Sequence, residues 1–211
     1  MKILLATNNP AKIALMKKWC LLINGAQFFS PNDLGIDIEV LESGKTLREN
    51  AEIKAREFSL RAPSHIVIAN DCGVDIPSLG RDWKKVWTNR QLGSKQSSDL
   101  ERAASLIELM KGKAGEDRKI SWSDAIALAY NGKIIDSFEK ASPHGYILDK
   151  MDERACILPG SPIGGIDFRS EFGKVYNRLT EEELMIIDKV VNEFFQEKVK
   201  DYLFKLNSLQ R

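Results

Sequence analysis

The sequence has few cysteines and histidines, and this scarcity excludes several classes of protein. Its three cysteines, Cys20, Cys72 and Cys156, lie far apart and form no CxxC pair. Such spacing argues against a disulfide framework or a zinc ribbon and is typical of a reducing compartment. The two histidines, His65 and His144, form no HExxH motif and have no histidine–cysteine metal spacing. We therefore expect a cytoplasmic protein.

Long apolar runs and an excess of one charge are also absent. No run approaches the roughly 18 apolar residues that a bilayer span requires, and Ile3–Ala6 is too short for the core of a signal peptide. The 31 Lys and Arg residues balance 30 Asp and Glu residues, for a formal net charge of +1. A balanced chain has no global field that attracts nucleic acid or an anionic membrane, so we expect neither partner.

The composition is that of an ordinary globular protein. Hydrophobic residues make up 43% and charged residues 29% of the 211 positions, and a chain of this length buries enough surface to fold without a disulfide or metal. We see no repeat or linker in the sequence, which predicts a single domain over 1–211. Residues from about 112 to 178 could form a second lobe within it.

Alternating strand and helix signals predict an α/β fold. Crossover helices between the first strands favour parallel pairs, and the dipeptide Asn131-Gly132 between two apolar runs predicts an antiparallel hairpin. We therefore expect a mixed β-sheet flanked by helices. The segment 70–73 has the composition of a turn, and 74–95 that of a long loop. The predicted strands are 2–6, 36–41, 65–69, 120–130 and 133–140, and the predicted helices are 10–23, 46–62, 98–111 and a long one from 180.

The first candidate for chemistry is the polar junction between the first strand and the first helix, Thr7 to Lys12. The N-terminus of a helix offers free N–H groups and about half a positive charge, which suits phosphate. Thr7 and Asn9 add side-chain donors, and Lys12 adds a point charge. A capped helix with a solvated lysine is the alternative, and the residues alone leave it open.

A second group of candidates combines carboxylates with a lysine. Asp71 follows an apolar strand, where open α/β sheets bind ligands, although turns also use Asp at such positions. Magnesium prefers one or two carboxylates together with substrate phosphates. Glu39 is a second carboxylate but carries little information alone. Asn50 and Lys54 share one helix face, where Lys54 could bind phosphate or be solvated.

Several catalytic motifs are absent. Gly44-Lys45-Thr46 resembles the end of a Walker A loop, but the first glycine of that motif would fall at Glu39. No GxSxG elbow occurs. Cys72 has no histidine near it in sequence, so a buried or substrate-contacting thiol is favoured over a nucleophile.

Three blocks in residues 1–75 are similar, in order and spacing, to the inosine/xanthosine triphosphate pyrophosphatase family. The family opens with a strand and Thr/Ser-x-Asn-x-x-Lys, continues with an acidic position before Gly-x-Thr-Phe-x-Glu-Asn-Ala-x-x-Lys-Ala, and then has Ala-Asp-Asp-Ser-Gly-Leu. Further along, Thr88-Asn-Arg90 stands where the family has Ser-Ala-Arg. The matching residues here are Thr7, Asn9, Lys12, Glu39, the block Gly44–Ala55 and the block Ala69-Asn-Asp-Cys-Gly-Val74.

The resemblance implies an elongated mixed sheet of two lobes with a central cleft, commonly in a homodimer. It implies magnesium-dependent hydrolysis of a nucleoside triphosphate to the monophosphate and pyrophosphate. By position, Asp71 and Glu39 would hold magnesium. Asp71 would also orient or deprotonate the attacking water, and Lys12 would be the second catalytic residue. Carried over in the same way, the substrate-binding residues are Thr7, Asn8, Asn9, Lys12, Lys54, Cys72, Arg90 and Asp167.

The second half of the chain departs from the family. Its Phe-Gly-Tyr/Trp-Asp-Pro block, which reads the base, aligns with residues 164–168, where only Gly165 and Asp167 remain. Arg178 replaces an acid, and the Lys-Asn and Ser-His-Arg base contacts are missing. The phosphate and metal residues persist while the base contacts are lost, so triphosphate hydrolysis is better supported than a hypoxanthine or xanthine preference. Aromatic residues that could stack on a base instead are Trp83, Trp87, Tyr146 and Phe168.

Two other functions compete with this one. The first is a degenerate family member that binds a nucleotide or another phosphorylated ligand without turnover, which the lost base contacts favour. The second is a nucleic-acid-binding module, supported only by Lys84, Lys85, Arg90 and Lys95 around two tryptophans. The balanced net charge argues against the second.

Overall fold

The computed structural model describes residues 1–209, and the side chains of 1–203. Over these residues the chain forms one open sheet in the order β2-β1-β3-β4-β6-β7-β8, with β5 also paired to β4. The strands are β1 (Lys2–Leu5), β2 (Gln27–Phe29), β3 (Ile66–Asp75), β4 (Lys119–Tyr130), β5 (Lys133–Ala141), β6 (Gly145–Ile147), β7 (Asp167–Arg169) and β8 (Lys174–Val175). The α-helices are α1 (Pro10–Trp19), α2 (Leu47–Arg61), α3 (Thr88–Gln91), α4 (Asp99–Leu109) and α5 (Glu181–Leu209).

The chain divides into two compact units, of which the first comprises Met1–Cys72, Asp124–Lys140 and Val190 onward. In this unit β1 pairs in parallel with β2 and with β3, as expected where α1 and α2 cross over between strands. Its buried core combines aliphatic residues of these strands with Trp19 and Phe195. The Trp19 indole N–H donates to Asn192 Oδ1 at 3.0 Å, which joins α1 to α5.

Side-chain caps fix where the helices of the first unit begin. Asn9 Oδ1 accepts from the backbone N–H groups of Ala11 and Lys12, and Pro10 occupies the first turn of α1. Thr46 and Glu49 form a complete capping box at the start of α2. In such a box each side chain satisfies an N–H group that the helix leaves unpaired. The register of α2, and therefore the direction of its Asn50 and Lys54, is set by this cap.

The second unit comprises Gly73–Ser123 and Ala141–Lys189. Here β6, β7 and β8 form an antiparallel ladder, and β6 pairs with the start of β4. The buried Arg118 guanidinium donates to the main-chain oxygens of Ile147, at 2.6 Å, and Met110, at 2.8 Å. The buried indole of Trp83 donates to the Val74 oxygen at 2.7 Å. These two buried side chains therefore find their hydrogen-bond acceptors in backbone carbonyl groups.

An ion pair is fully buried on β7. Arg169 Nη2 lies 2.7 Å from Asp167 Oδ2, and neither side chain is exposed. The Trp122 indole donates to the same carboxylate oxygen at 3.0 Å. A buried pair of this kind adds little net stability, but the loss of one partner leaves a charge without compensation in a medium of low polarity.

The mixed sheet flanked by helices is confirmed, with parallel and antiparallel pairs as predicted. The hairpin β4–β5 is also confirmed. Its turn places Asn131 at φ 47° and Gly132 at φ 74°, the backbone that Asn-Gly turns favour.

Three expectations about local structure are wrong. No strand forms at 36–41 among the described residues: this segment is irregular, and β2 is the strand that pairs with β1 at this end of the sheet. Residues 70–73 continue β3 and do not form a turn. Helix α1 ends at Trp19 instead of near residue 23, and Cys20 is its cap.

The predicted loop 74–95 is partly helical. It contains 3-10 turns at Pro77–Asp82 and Lys85–Trp87, followed by α3. The hydrogen bond from the Trp83 indole to the Val74 oxygen holds it to the end of β3. Within the part of the chain that the structure describes, no helix is long and apolar enough to span a membrane.

We expect Thr46→Ala to lower the free energy of unfolding by about 1 kcal/mol, because the N–H of Glu49 loses its acceptor. Urea denaturation monitored by far-UV circular dichroism measures this change. Lys45→Ala is the matched control, since only the backbone N–H of Lys45 takes part in the cap. Equal midpoints for the two variants would contradict the role of the capping box.

We expect Asp167→Asn to lower the free energy of unfolding by about 3–5 kcal/mol, because the buried Arg169 charge loses its counter-ion. Thermal denaturation measures the effect. Asp149→Asn provides the control, since it weakens an ion pair with Arg154 in which both side chains are exposed and exposed pairs contribute little. Equal melting temperatures for the two variants would show that the buried ion pair contributes no more to stability than the exposed one.

Candidate active site

The junction between β1 and α1 is a closely bonded turn. Thr7 Oγ1 accepts from the Asn9 N–H at 3.2 Å, and Asn9 Oδ1 accepts from the N–H groups of Ala11 and Lys12 at 2.9 and 3.3 Å. Asn8 Oδ1 accepts from the backbone N–H of Asn32 at 3.0 Å, which ties this turn to a neighbouring loop. All three polar side chains therefore shape the turn, and the helix N-terminus lies at the carboxyl end of β1.

Lys12 lies on the first turn of α1 among acidic groups. Burial lowers the pKa of its ammonium, but electrostatic interactions with Cys72, Asp71, Asp124 and Glu42 raise it, and the net pKa lies above its usual value. Lys12 therefore remains positively charged at neutral pH. These four residues belong to β3, β4 and the loop before α2.

Asp71 lies on β3 and is 8% exposed. The Asn50 side-chain amide on α2 donates to Asp71 Oδ2 at 3.1 Å. Burial raises the pKa of the Asp71 carboxyl group and the charge of Lys54 opposes this, and the net pKa is raised. A carboxyl group whose pKa is raised accepts a proton more readily than an ordinary aspartate does, as a general base must.

Lys54 connects α2 to β3 and to the loop before α2. Its ammonium group donates to the main-chain oxygen of Asn70 at 3.0 Å and lies 2.8 Å from Glu42 Oε1. Asn50 and Lys54 project from the same side of α2, as their spacing of four residues requires. The helix thus presents an amide and a cation to consecutive residues of one strand.

The loop before α2 approaches the helix closely. Asn50 Oδ1 accepts from the Gly44 N–H at 2.8 Å, while the same amide donates to Asp71. A Cβ atom at position 44 would lie 2.7 Å from Asn50 Oδ1 and from Glu49 Cβ. Only glycine fits there without moving α2, and this explains the glycine of the second motif block.

Glu39 is an exposed residue of the irregular segment that follows residue 35. The carboxylate that pairs with Lys54, and whose charge acts on Asp71, belongs to Glu42, three positions later. The assignment of Glu39 to a metal remains a prediction from the family resemblance.

Two acidic residues of this cluster, Glu42 and Asp124, were not identified from the sequence. Glu42 directly precedes Ser43-Gly44. Like Glu39, it therefore lies in the acidic stretch just before the motif block Gly44–Ala55. Asp124 Oδ1 accepts from the side-chain amide of Asn70 at 3.0 Å. In the sequence, Asp124 stands out only as an acidic residue directly before five apolar residues of β4. The structure buries all five.

Cys72 is a free cysteine within this cluster. Burial raises the pKa of its thiol to about 11, with Lys12 lowering it and Asp124 and Asp71 raising it further. The thiol is therefore protonated at neutral pH, and only the thiolate is a strong nucleophile. This agrees with the expectation that Cys72 is not a nucleophile.

The remaining predicted substrate residues lie in the second compact unit. Arg90 is an exposed residue of α3. Asp167 is fully buried, with its Oδ2 bound by Arg169 and Trp122. The structure thus gathers Lys12, Lys54, Asp71 and Cys72 within the first unit.

The residues present fit a magnesium ion that is shared with a phosphate. Among the described residues, no group of three or more His, Cys, Asp or Glu side chains could form a complete metal cage. Magnesium does not require one, since it is usually held by one or two carboxylates, substrate phosphates and water. Asp71 and Glu42 offer oxygen ligands of the required kind beside two lysines.

Comparison with known proteins gives relatives over most of the chain. A model of the Ham1 family matches residues 3–155. The dITP/XTP pyrophosphatase of Thermoanaerobacter sp. is 30% identical over 207 residues, which are 97% of this chain and 98% of that protein. The dITP/XTP pyrophosphatase of Bacillus licheniformis is 32% identical over 149 residues, which are 71% of this chain and 74% of that protein.

A solved structure has the same fold. The structure of a HAM1 protein from Coxiella burnetii superposes with a TM-score of 0.76 at 24% identity, and the match covers 97% of this chain and 99% of the other. The family resemblance drawn from the motifs is confirmed by these matches. Since the family model spans most of the sequence and a relative of 30% identity is covered almost completely, the chain belongs to the Ham1 family.

Proposed function

We propose that this protein is a hydrolase that cleaves a nucleoside triphosphate to the monophosphate and pyrophosphate, with magnesium as cofactor. Relatives that cover most of the chain bear the name dITP/XTP pyrophosphatase. The single observation that carries the proposal is the placement of Asp71, which Asn50 holds at 3.1 Å and on which the charges of Lys54 and Lys12 act. A carboxylate so placed between cations suits hydrolysis of a phosphoric anhydride.

The two lysines bind and neutralise the triphosphate in this proposal. Negative charge grows on the α-phosphate and on the pyrophosphate leaving group during hydrolysis, and fixed cations stabilise it without reorganisation. Lys12 is charged at neutral pH. The N-terminus of α1, shaped by Thr7, Asn8 and Asn9, adds N–H groups and a favourable dipole.

Asp71 directs the attacking water. Asn50 binds its Oδ2, which fixes the carboxylate plane and leaves Oδ1 to orient a water molecule in line with the leaving group. Asp71 would take the proton of that water as a general base. Magnesium, when bound, would neutralise phosphate charge as a Lewis acid. Asp71 would hold it with Glu42, which we favour over Glu39 because Glu42 pairs with Lys54.

The residues that would read the base depart from those of the resembled family. Ile166, at the position of the aromatic residue that stacks on the base in the resembled family, is completely buried in the core of the second unit. Arg178, in place of an acid, donates to the main-chain oxygens of Glu153 and Ala155. Groups that hydrogen-bond a base can discriminate by about 10⁴-fold. We therefore propose an altered base preference.

The same observations favour a second candidate, a nucleotide-binding protein without turnover. Loss of base contacts weakens substrate selection, while the phosphate-binding lysines would still hold a ligand. Homodimer formation and a cytoplasmic location, which the family resemblance and the free cysteines favour, are further parts of the proposal.

A substrate panel tests the reaction. Inosine, xanthosine and the four standard nucleoside triphosphates, with ribose and with deoxyribose, are incubated with the enzyme and magnesium, and pyrophosphate is measured. We expect pyrophosphate from at least one triphosphate, and loss of that product when EDTA replaces magnesium. Binding of these nucleotides in calorimetry without any pyrophosphate would support the second candidate and reject hydrolysis.

We expect Asp71→Asn to lower turnover at least about 100-fold, because the amide cannot accept the proton of water. Folding should be preserved, since the raised pKa means that burial already disfavours the charged carboxyl group. The measurements are kcat on the best substrate and the urea midpoint. Asp75→Asn, an exposed position of the same strand, should keep the wild-type rate. Retention of turnover by the Asp71 variant would show that its role is wrongly assigned.

A further inference from the structure

Asp124 is an acidic residue that none of the sequence motifs includes. It lies on β4, the strand that neighbours β3 in the sheet, and Ser123 and Ala125 on either side are buried. Asp124 itself is half-buried, and a carboxylate partly withdrawn from water is stabilised by a hydrogen-bond donor. One such donor is Asn70, whose side-chain amide donates to Asp124 Oδ1 at 3.0 Å.

Asn70 connects Asp124 to the rest of the cluster. It is only 3% exposed, and its Nδ2 also approaches the main-chain oxygens of Asp71 at 3.3 Å and Ala125 at 3.2 Å. Its own main-chain oxygen accepts from Lys54 at 3.0 Å. Asn70 therefore links Asp124, through its side chain, to the stretch of β3 backbone that carries Asp71 and accepts from Lys54.

The amide oxygen of Asn70 is a second independent feature. Asn70 Oδ1 is buried and has no hydrogen-bond partner among the described residues. A buried polar atom without a partner is costly unless a ligand or water satisfies it. Carboxylate and amide oxygens are the ligands that hard cations prefer, and this pair supplies one of each at the strand position next to Asp71.

We propose that Asp124 is a further acidic residue of the phosphate and magnesium site, and that Asn70 is the positioning residue that holds its carboxylate there. The inference rests on the proposed function and deepens it. The motif block has Asn70 where the resembled family has an acid, and Asp124 restores one negative charge from the adjacent strand. The charge of Asp124 also raises the pKa of Lys12, which supports its closeness to the phosphate-binding lysine.

An exchange of the two residues tests the pair. Asp124→Asn removes the only carboxylate of the pair, and Asn70→Asp places two carboxylates opposite each other, where like charges repel. The double variant Asn70→Asp/Asp124→Asn again has one carboxylate and one amide, with donor and acceptor exchanged between the strands. We expect kcat/KM to fall at least about 10-fold in each single variant and to recover to within about 3-fold in the double variant.

A second measurement separates a functional from a merely structural role. Calorimetry gives the affinity of the full chain for inorganic tripolyphosphate with and without magnesium. We expect the enhancement by magnesium to fall about 10-fold in Asp124→Asn and to return in the double variant. Asp37→Asn, an exposed carboxylate of the same unit, should leave the enhancement and the rate unchanged.

Three outcomes overturn the inference. A wild-type rate and enhancement in Asp124→Asn would show that the carboxylate takes no part in the site. A lower melting temperature with unchanged enhancement would show that the pair only stabilises the fold. Failure of the double variant to recover while its melting temperature equals that of the wild type would show that the two positions do not share one charge, because loss of the Asn70 N–H contacts to the oxygens of Asp71 and Ala125 would lower that temperature. If the wild-type protein hydrolyses no triphosphate, the proposed function fails, and the tripolyphosphate measurement still decides the role of the pair.

Discussion

The arrangement of the candidate site depends on the two contacts that the ammonium group of Lys54 makes. It joins the main-chain oxygen of Asn70 on β3 to the carboxylate of Glu42 in the loop before α2. One turn earlier on the same helix, Asn50 joins Asp71 to the backbone of Gly44. Two side chains four residues apart thus hold a strand and a loop against one helix face. The capping box at Thr46 fixes their direction, so local helix geometry determines where Asp71 lies.

Burial and the nearby opposite charges shift the pKa values of this cluster in opposite directions, and their balance sets the protonation state of each group. Burial lowers the pKa of Lys12, yet the surrounding acids more than offset this and keep the ammonium charged. For Asp71 burial prevails over the nearby lysines, and the pKa is raised. For Cys72 burial also prevails, and the thiol stays protonated. One polar environment therefore produces a fixed cation, a carboxyl group suited to accept a proton, and an unreactive thiol.

The sequence predicted those features that depend on neighbouring residues. The cap at Thr46 and the Asn131-Gly132 hairpin are each specified within a few positions, and both form as expected. The strand expected at 36–41 does not form: alternation of apolar residues shows which of them can face a core, but it does not show that the segment pairs with a strand. Asp124 was missed for a related reason. Its importance comes from its neighbour Asn70 on another strand, and no motif within one segment contains that contact.

Several side chains of the second unit bind groups of that same unit. Asp167 binds Arg169 and Trp122, Arg178 binds main-chain oxygens, and Ile166 lies in the apolar core. Two positions of the block that reads the base in the resembled family, 166 and 167, are thus occupied by packing and by an internal ion pair here. The first unit places its cations and acids around Asp71 instead. Selection on charge and phosphate geometry needs only the first set, so the chemistry of the triphosphate can persist while the preference for a base changes.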